Sequence, residues 1–312
     1  MKSLLNAECS AGQLCSGALI FLSVVTAGFI KLRNGGRTMR IISLVPSHTE
    51  ILFALGFGDQ LVGVTAHCDY PPEVDKIQRV GFFGKPNIEK ILSLQPDLVL
   101  LDSRLQGSCQ KELQEAGIEV FDFFPFTLDE LFSGMERLID VVGGVGHARQ
   151  VVVGLRIEAD RLIKRAKRLP SRRLLFVMGS EVLATPGPAS MQYGALSSLG
   201  LELYPVGSQI SYFPITWGDV ANFDPEILLV CGRVPGREEQ KRCPGCSIKN
   251  RPCARDVEEI YQLYDIAEVR AVKERKVFTV PCSFFCRPGP RILKGMEWLV
   301  GMVLEEDRCT EL

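Results

Sequence analysis

The sequence predicts an α/β protein of two lobes joined by one long helix, and three observations carry that reading. From residue 39 onward, short apolar runs alternate with helical runs, the pattern of a parallel sheet covered by helices. A helical stretch of about 25 residues, Gly146 to Pro170, then breaks the alternation, and it is long for a globular helix. After it the α/β pattern restarts. The expected division is an N-terminal extension (1–38), a first lobe (39–143), a connecting helix (144–170) and a second lobe (171–312) with an insertion at 233–256.

The elements follow in order. "RIISLV" (40–45) reads as a short buried strand. "SHTEILFALG" reads as a helix with Ser47 as N-cap, Glu50 as its capping-box partner and Gly56 as its stop. "QLVGVT" (60–65) is a second strand, "NIEKILSLQP" a helix halted before Pro96, and "DLVLLD" (97–102) a buried strand. "CQKELQEAG" is a helix closed by Gly117, and "IEVFDF" (118–123) a further strand. "TLDELFSGMERLIDVVGG" is helical and leads into the connector. Beyond it, "RRLLFVMG" (172–179), "PEILLVCG" (225–232) and "KVFTVPC" (276–282) read as strands. "GALSSLGL" is part of a helix, and "GPRILKGMEWLVGMVLEE" is the closing amphipathic helix.

Composition narrows the function. The 312 residues carry 36 basic and 37 acidic side chains, so the basic excess that nucleic acid demands is missing. No G-x-S-x-G elbow, P-loop, H-E-x-x-H or dinucleotide fingerprint occurs. "GGVGHA" (143–148) imitates a glycine loop but follows a helix, not a strand. No signature of catalysis therefore stands in the sequence. The apolar run "GALIFLSVVTAGFI" (17–30) allows three accounts: a signal-peptide core, a short membrane anchor, or upstream sequence ahead of a true start at Met39. The first two place the protein outside the cytoplasm or on a membrane, the third in the cytoplasm. The basic residues after the run, Lys31, Arg33, Arg37 and Arg40, favour a cytoplasmic C-terminal side.

Three long motifs then carry a family resemblance: "RIISLVPSHTEILFALGFGDQLVGVTAHCDYPPEV", "VGFFGKPNIEKILSLQPDLVLL" and "RPGPRILKGMEWL". Over about residues 39–305 the chain resembles the substrate-binding proteins of cobalamin and ferric-siderophore ABC importers, the cobalamin branch most closely. The resemblance implies two Rossmann-like α/β lobes bridged by one helix, with the ligand in the cleft between them. It implies a small-molecule cargo of the cobalamin, siderophore or haem class, and an ABC permease and ATPase as partners. A flat corrinoid needs broad aromatic walls and a few polar groups.

The resemblance places ligand contacts at His67 and Tyr70 of "AHCDYPP" and at Phe82 and Phe83 of "GFFGKP". In the second lobe it places them at Tyr212 and Phe213 of "SYFPITW" and at Phe285 and Arg287 of "SFFCRPGPR". The alternative for each aromatic is plain core packing. His67 is either a cobalt contact or polar surface. His48 faces the cleft mouth or caps its turn, and His147 is solvated at the start of the connector. Three histidines in all argue against a bare zinc or manganese cargo. For permease docking the family uses one acid per lobe. Glu89 matches in the first, whereas the second-lobe position falls at Gly218 and leaves Asp219 as the substitute. No lipoprotein box follows the apolar run.

Eleven cysteines are present, and "RCPGCSIKNRPCARD" (242–256) spaces three of them C-x2-C-x6-C. With Cys231, or one of Cys282 and Cys286, as fourth ligand, Cys243, Cys246 and Cys253 form a candidate metal centre. An iron–sulfur cluster suits the single short pair better than zinc, and Arg242, Lys249, Arg251 and Arg255 would offset its charge. Disulfides or free thiols are the alternatives. Such a cluster opens a second function: a cytoplasmic corrinoid- or metal-handling redox protein on the same fold.

Overall fold

The computed structural model describes residues 37–144, 146–179, 182–231 and 257–304. The first lobe runs β1 (Ile41–Ser43), α1 (Pro46–Ala54), β2 (Leu61–Val64), the small pair β3 (Gly81–Phe82) and β4 (Lys85–Pro86), α2 (Ile88–Ser93), β5 (Leu98–Leu101), α3 (Ser103–Glu115), β6 (Glu119–Asp122) and α4 (Leu128–Val142). A 20-residue helix, α5 (His147–Ala166), leads to the second lobe. That lobe runs β7 (Arg173–Val177), β8 (Leu183–Pro186), α6 (Met191–Ser198), β9 (Glu202–Leu203), β10 (Tyr212–Ile215), α7 (Trp217–Phe223), β11 (Ile227–Cys231), α8 (Val257–Tyr261), α9 (Arg270–Lys273), β12 (Val277–Val280), α10 (Cys282–Phe285) and α11 (Ile292–Trp298).

Each lobe is built on a four-stranded sheet, ordered β2-β1-β5-β6 in the first and β12-β11-β7-β9 in the second. Every pairing within these two sheets is parallel. Numbered within its own sheet, each lobe has the strand order 2-1-3-4, so the two halves share one topology. The central strands β5 and β11 are buried at every position, which is why they read in sequence as unbroken apolar runs. In such sheets the chain order reverses between the first and third strands, and the crevice at their carboxyl ends is where ligands bind. Here those places are the ends of β1 and β5 and the ends of β7 and β11.

Helix α4 buries Leu131, Met135, Leu138 and Ile139, a stripe at helical spacing that covers the first sheet. Gly134 on the same helix is required by its neighbour, because a Cβ there would stand 1.9 Å from the Phe123 ring. Helix α5 is fastened to α4 by Arg156, which pairs with Asp129 at 2.8 Å and Glu136 at 3.4 Å. It reaches the second lobe through Arg161 and Glu297 of α11, 3.2 Å apart. The lobes also touch directly: at Gly194 of α6 a Cβ would stand 2.1 Å from the Phe126 carbonyl oxygen of the first lobe.

The start of α1 departs from the sequence reading. Val45 is its N-cap, Pro46 opens the helix, and no side chain caps it. Proline at that position needs no N–H partner and brings a helical φ of its own. Ser47 and Glu50 are therefore not a capping box: the Ser47 hydroxyl is buried without a partner, and Glu50 turns toward the second lobe. The connector is also shorter than the 144–170 stretch, because α5 ends at Ala166.

Candidate functional site between the lobes

The loops at the carboxyl ends of β1, β2 and β5 are held together by one side chain. Gln106 lies inside α3 with non-helical backbone angles (φ −125°, ψ 26°) and is 2% exposed. Its amide nitrogen donates to the Leu44 carbonyl at 3.3 Å and the Phe83 carbonyl at 2.6 Å, and its oxygen accepts from the Asp102 amide at 3.1 Å. The aromatic loop is thereby fixed to the sheet beneath it. Phe83 in turn donates its backbone N–H to His67 Nδ1 at 3.0 Å. The His67 ring lies edge-on to Phe82 and Phe83, with centroids 5.9 and 6.4 Å away. Since Nδ1 accepts, the neutral ring carries its proton on Nε2. Phe82 is 62% exposed, and Tyr70 and the β3–β4 tip are also open to solvent.

His48 lies behind this surface. It is fully buried, stacked on Phe123 at 5.7 Å, and its Nε2 donates to the Phe123 carbonyl at 2.8 Å. Burial pushes its pKa down to about 4, against the opposing pull of that hydrogen bond and of Asp102 and Asp122. His48 therefore neither faces the cleft mouth nor caps a turn; it is a neutral core histidine.

In the second lobe, Tyr212 and Phe213 stand on β10, which pairs antiparallel with β8. Both are exposed. The Tyr212 hydroxyl accepts from Gln192 at 3.1 Å, and Phe213 stacks on Tyr204 at 6.3 Å.

Two second-lobe candidates sit differently. Phe285 is fully buried, with its ring 6.2 Å from Phe176 and edge-on to it. The short helix α10 directs it into the core, so it offers no wall to a ligand. Arg287 is 8% exposed and crosses to the first lobe. It donates to Glu50 at 3.3 Å and, through both terminal nitrogens, to Asp69 at 2.5 and 3.0 Å. Arg291 donates twice to Glu50, at 2.8 and 2.5 Å, and its guanidinium lies 4.1 Å above the Tyr70 ring. Burial works to raise the Asp69 carboxyl, and the hydrogen bonds and charge of Arg287 outweigh it, holding that carboxyl below its ordinary range.

The docking candidates differ in availability. Glu89 is exposed in the first turn of α2. Asp219 forms a capping box with Thr216, accepting from its backbone N–H and its hydroxyl, both at 2.7 Å. Those bonds hold its carboxyl below the usual range. Cys231 ends β11, 1% exposed within the apolar core. Cys243, Cys246 and Cys253 lie outside the described residues. Among the described residues no group of three or more His, Cys, Asp or Glu is placed to hold a metal, and no helix is long and apolar enough to cross a membrane.

Comparison with known proteins decides the family. A family model described as "Periplasmic binding protein" matches residues 41–283. The chain belongs to the periplasmic binding protein family. Among its relatives, a vitamin B12-binding protein of Photorhabdus laumondii is 27% identical over 293 residues, 93% of this chain and 95% of that protein. An uncharacterized ABC transporter substrate-binding lipoprotein of Bacillus subtilis is 28% identical over 270 residues, covering 83% of this chain and 78% of that one. Among solved structures, the periplasmic vitamin B12 binding protein of Vibrio cholerae superposes with a TM-score of 0.68 at 24% identity, covering 84% of this chain and 94% of its own. A periplasmic heme-binding protein of Roseiflexus, in apo form, also gives 0.68, at 22% identity, covering 85% of this chain and 97% of its own.

For this periplasmic binding protein, then, sequence reasoning missed Gln106, Glu50, Asp69 and Arg291. Asp69 and Arg291 stand inside motifs that were recognised, beside Tyr70 and within "RPGPR". An acid next to a ligand-loop aromatic, and a second arginine four residues after Arg287, were the available signals.

Proposed function

We propose that this protein binds cobalamin or a related corrinoid between its lobes and delivers it to an ABC importer. The observation that carries this is the set of rings on loops of the two lobes, exposed Phe82 with half-buried His67 and Phe83 in the first and exposed Tyr212 and Phe213 in the second. A corrin ring is broad and mostly apolar, and rings carried on loops of both lobes are the kind of stacking surface it needs. Relatives named as vitamin B12-binding proteins support the choice of cargo. Glu89 on the first lobe, with Asp219 on the second, is the docking pair for a basic permease surface.

The test is a panel of fluorescence-quenching titrations with cyanocobalamin, haemin and a ferric hydroxamate siderophore. Saturable quenching by cyanocobalamin at the lowest concentration supports the proposal. Tight binding of haemin or the siderophore with no response to cyanocobalamin rejects it.

A further inference from the structure

We infer that the quartet of Glu50, Asp69, Arg287 and Arg291 sets the charge of the cargo, so that the cleft selects a ligand rimmed with neutral amides over one rimmed with carboxylates. The inference rests on the corrinoid reading above and narrows it. A carboxylate-rimmed ligand is held by arginines whose donors are open to it, usually in a two-pronged pair. Here two arginines stand beside Tyr70 at the junction of the lobes, which makes them the natural anchors for such a ligand. Both are already matched by acids of the first lobe. Arg287 is bound to Asp69 through both terminal nitrogens, and Arg291 is bound to Glu50 through Nε and Nη2.

The exposure pattern gives the sign of what a ligand meets. The side chains of Arg287 and Arg291 are 10% and 16% exposed and that of Glu50 is 3%, whereas that of Asp69 is 24%. The open edge of the quartet is therefore its aspartate. A carboxylate approaching the quartet finds its most exposed member to be an acid and both guanidiniums already paired with carboxylates, and so loses its hydration without gaining a cation of its own. A propionamide can donate its N–H to the same aspartate.

The other arginines on the first-lobe ligand loops are matched in the same way. Arg79 is bonded to Asp75 at 3.0 Å and to the Thr65 and Cys68 carbonyls at 3.1 and 2.7 Å. Arg104 makes two bonds to Asp102, at 3.0 and 2.9 Å. Among the described residues of the first-lobe ligand loops, Lys85, exposed on the hairpin that carries Phe82, is a cation that could reverse this polarity, and the test includes it.

The experiment compares two probes of nearly one shape: cyanocobalamin and its monocarboxylate, in which one propionamide is hydrolysed to a propionate. The wild-type protein should bind the amide roughly tenfold or more tightly, the scale of an uncompensated like-charge contact. Asp69→Asn keeps the shape and removes the charge, and should narrow that ratio at least about threefold, since one guanidinium is then open to the propionate. Equal wild-type affinities overturn the inference. So does a ratio unchanged in folded Asp69→Asn, or one moved further by Lys85→Gln than by Asp69→Asn. If Asp69→Asn does not fold, the wild-type ratio alone decides. If the wild type binds neither corrinoid, the cargo proposal fails separately, and haemin is compared with its dimethyl ester: preference for the ester upholds the charge selection, and preference for haemin overturns it.

Discussion

Gln106 donates its side-chain amide to the Phe83 carbonyl at 2.6 Å, tying a kink in α3 to the aromatic loop of the first lobe. The same amide group serves Leu44 and Asp102, so one buried side chain satisfies three backbone groups at the carboxyl edge of the sheet.

Gln106→Leu keeps the approximate volume and removes all three bonds. Two carbonyls and one N–H are left without that partner, and the expected loss of stability is about 2–4 kcal/mol. Urea unfolding measures it. A change below about 0.5 kcal/mol, the size of an ordinary surface substitution, would show that water or a shifted loop replaces Gln106 at no cost.

His48 makes stability depend on pH. Its pKa is lowered from 6.5 to about 4 by burial, so between those values the unfolded chain takes up a proton that the folded protein refuses. The contribution is complete above pH 6.5 and is lost as pH falls toward 4. Each tenfold difference in proton affinity between the two states is worth about 1.4 kcal/mol, so the loss reaches about 2 kcal/mol by pH 5. Thermal melts of wild type and His48→Gln from pH 7.5 to 4.5 should diverge, the variant having the flatter profile. Parallel profiles would mean that other groups cause the acid sensitivity.

Phe82 and Phe285 separate ligand contact from core. Phe285→Ala empties a fully buried site against Phe176 and should cost about 3–5 kcal/mol of stability. Phe82→Ala removes a ring that is 62% exposed and should change stability by no more than about 0.5 kcal/mol while weakening cargo binding. Melting temperatures and ligand titrations on the two variants, run side by side, check both halves. A destabilised Phe82→Ala with unchanged binding would mean that Phe82 is a structural residue.

What could be read from sequence follows from range. The main strands were legible because central parallel strands are buried on both faces and leave unbroken apolar runs such as "LVLL" and "ILLVC". Helix ends at Gly56 and Gly117 were legible because both glycines adopt positive φ, 83° and 76°, a local need that only glycine meets freely. The quartet was not legible, since Glu50 and Arg287 are 237 positions apart and nothing local marks them as partners. The Ser47–Glu50 spacing even imitated a capping box. Phe285 and Phe83 both read in sequence as loop aromatics, and only the helix α10 sends one inward. The β8–β10 pair escaped notice because its strands are separated by α6 and β9 and do not form a tight hairpin.

The proposed aromatic clamp across the lobes is tested most directly by calorimetric titration of cyanocobalamin into the wild type and into the Phe83→Ala/Tyr212→Ala double variant. The wild type should bind at one site, and the double variant should lose about 1–3 kcal/mol per removed ring with its melting temperature little changed. A folded wild type that takes up no cyanocobalamin, or a double variant that binds it as tightly as the wild type, would contradict the clamp.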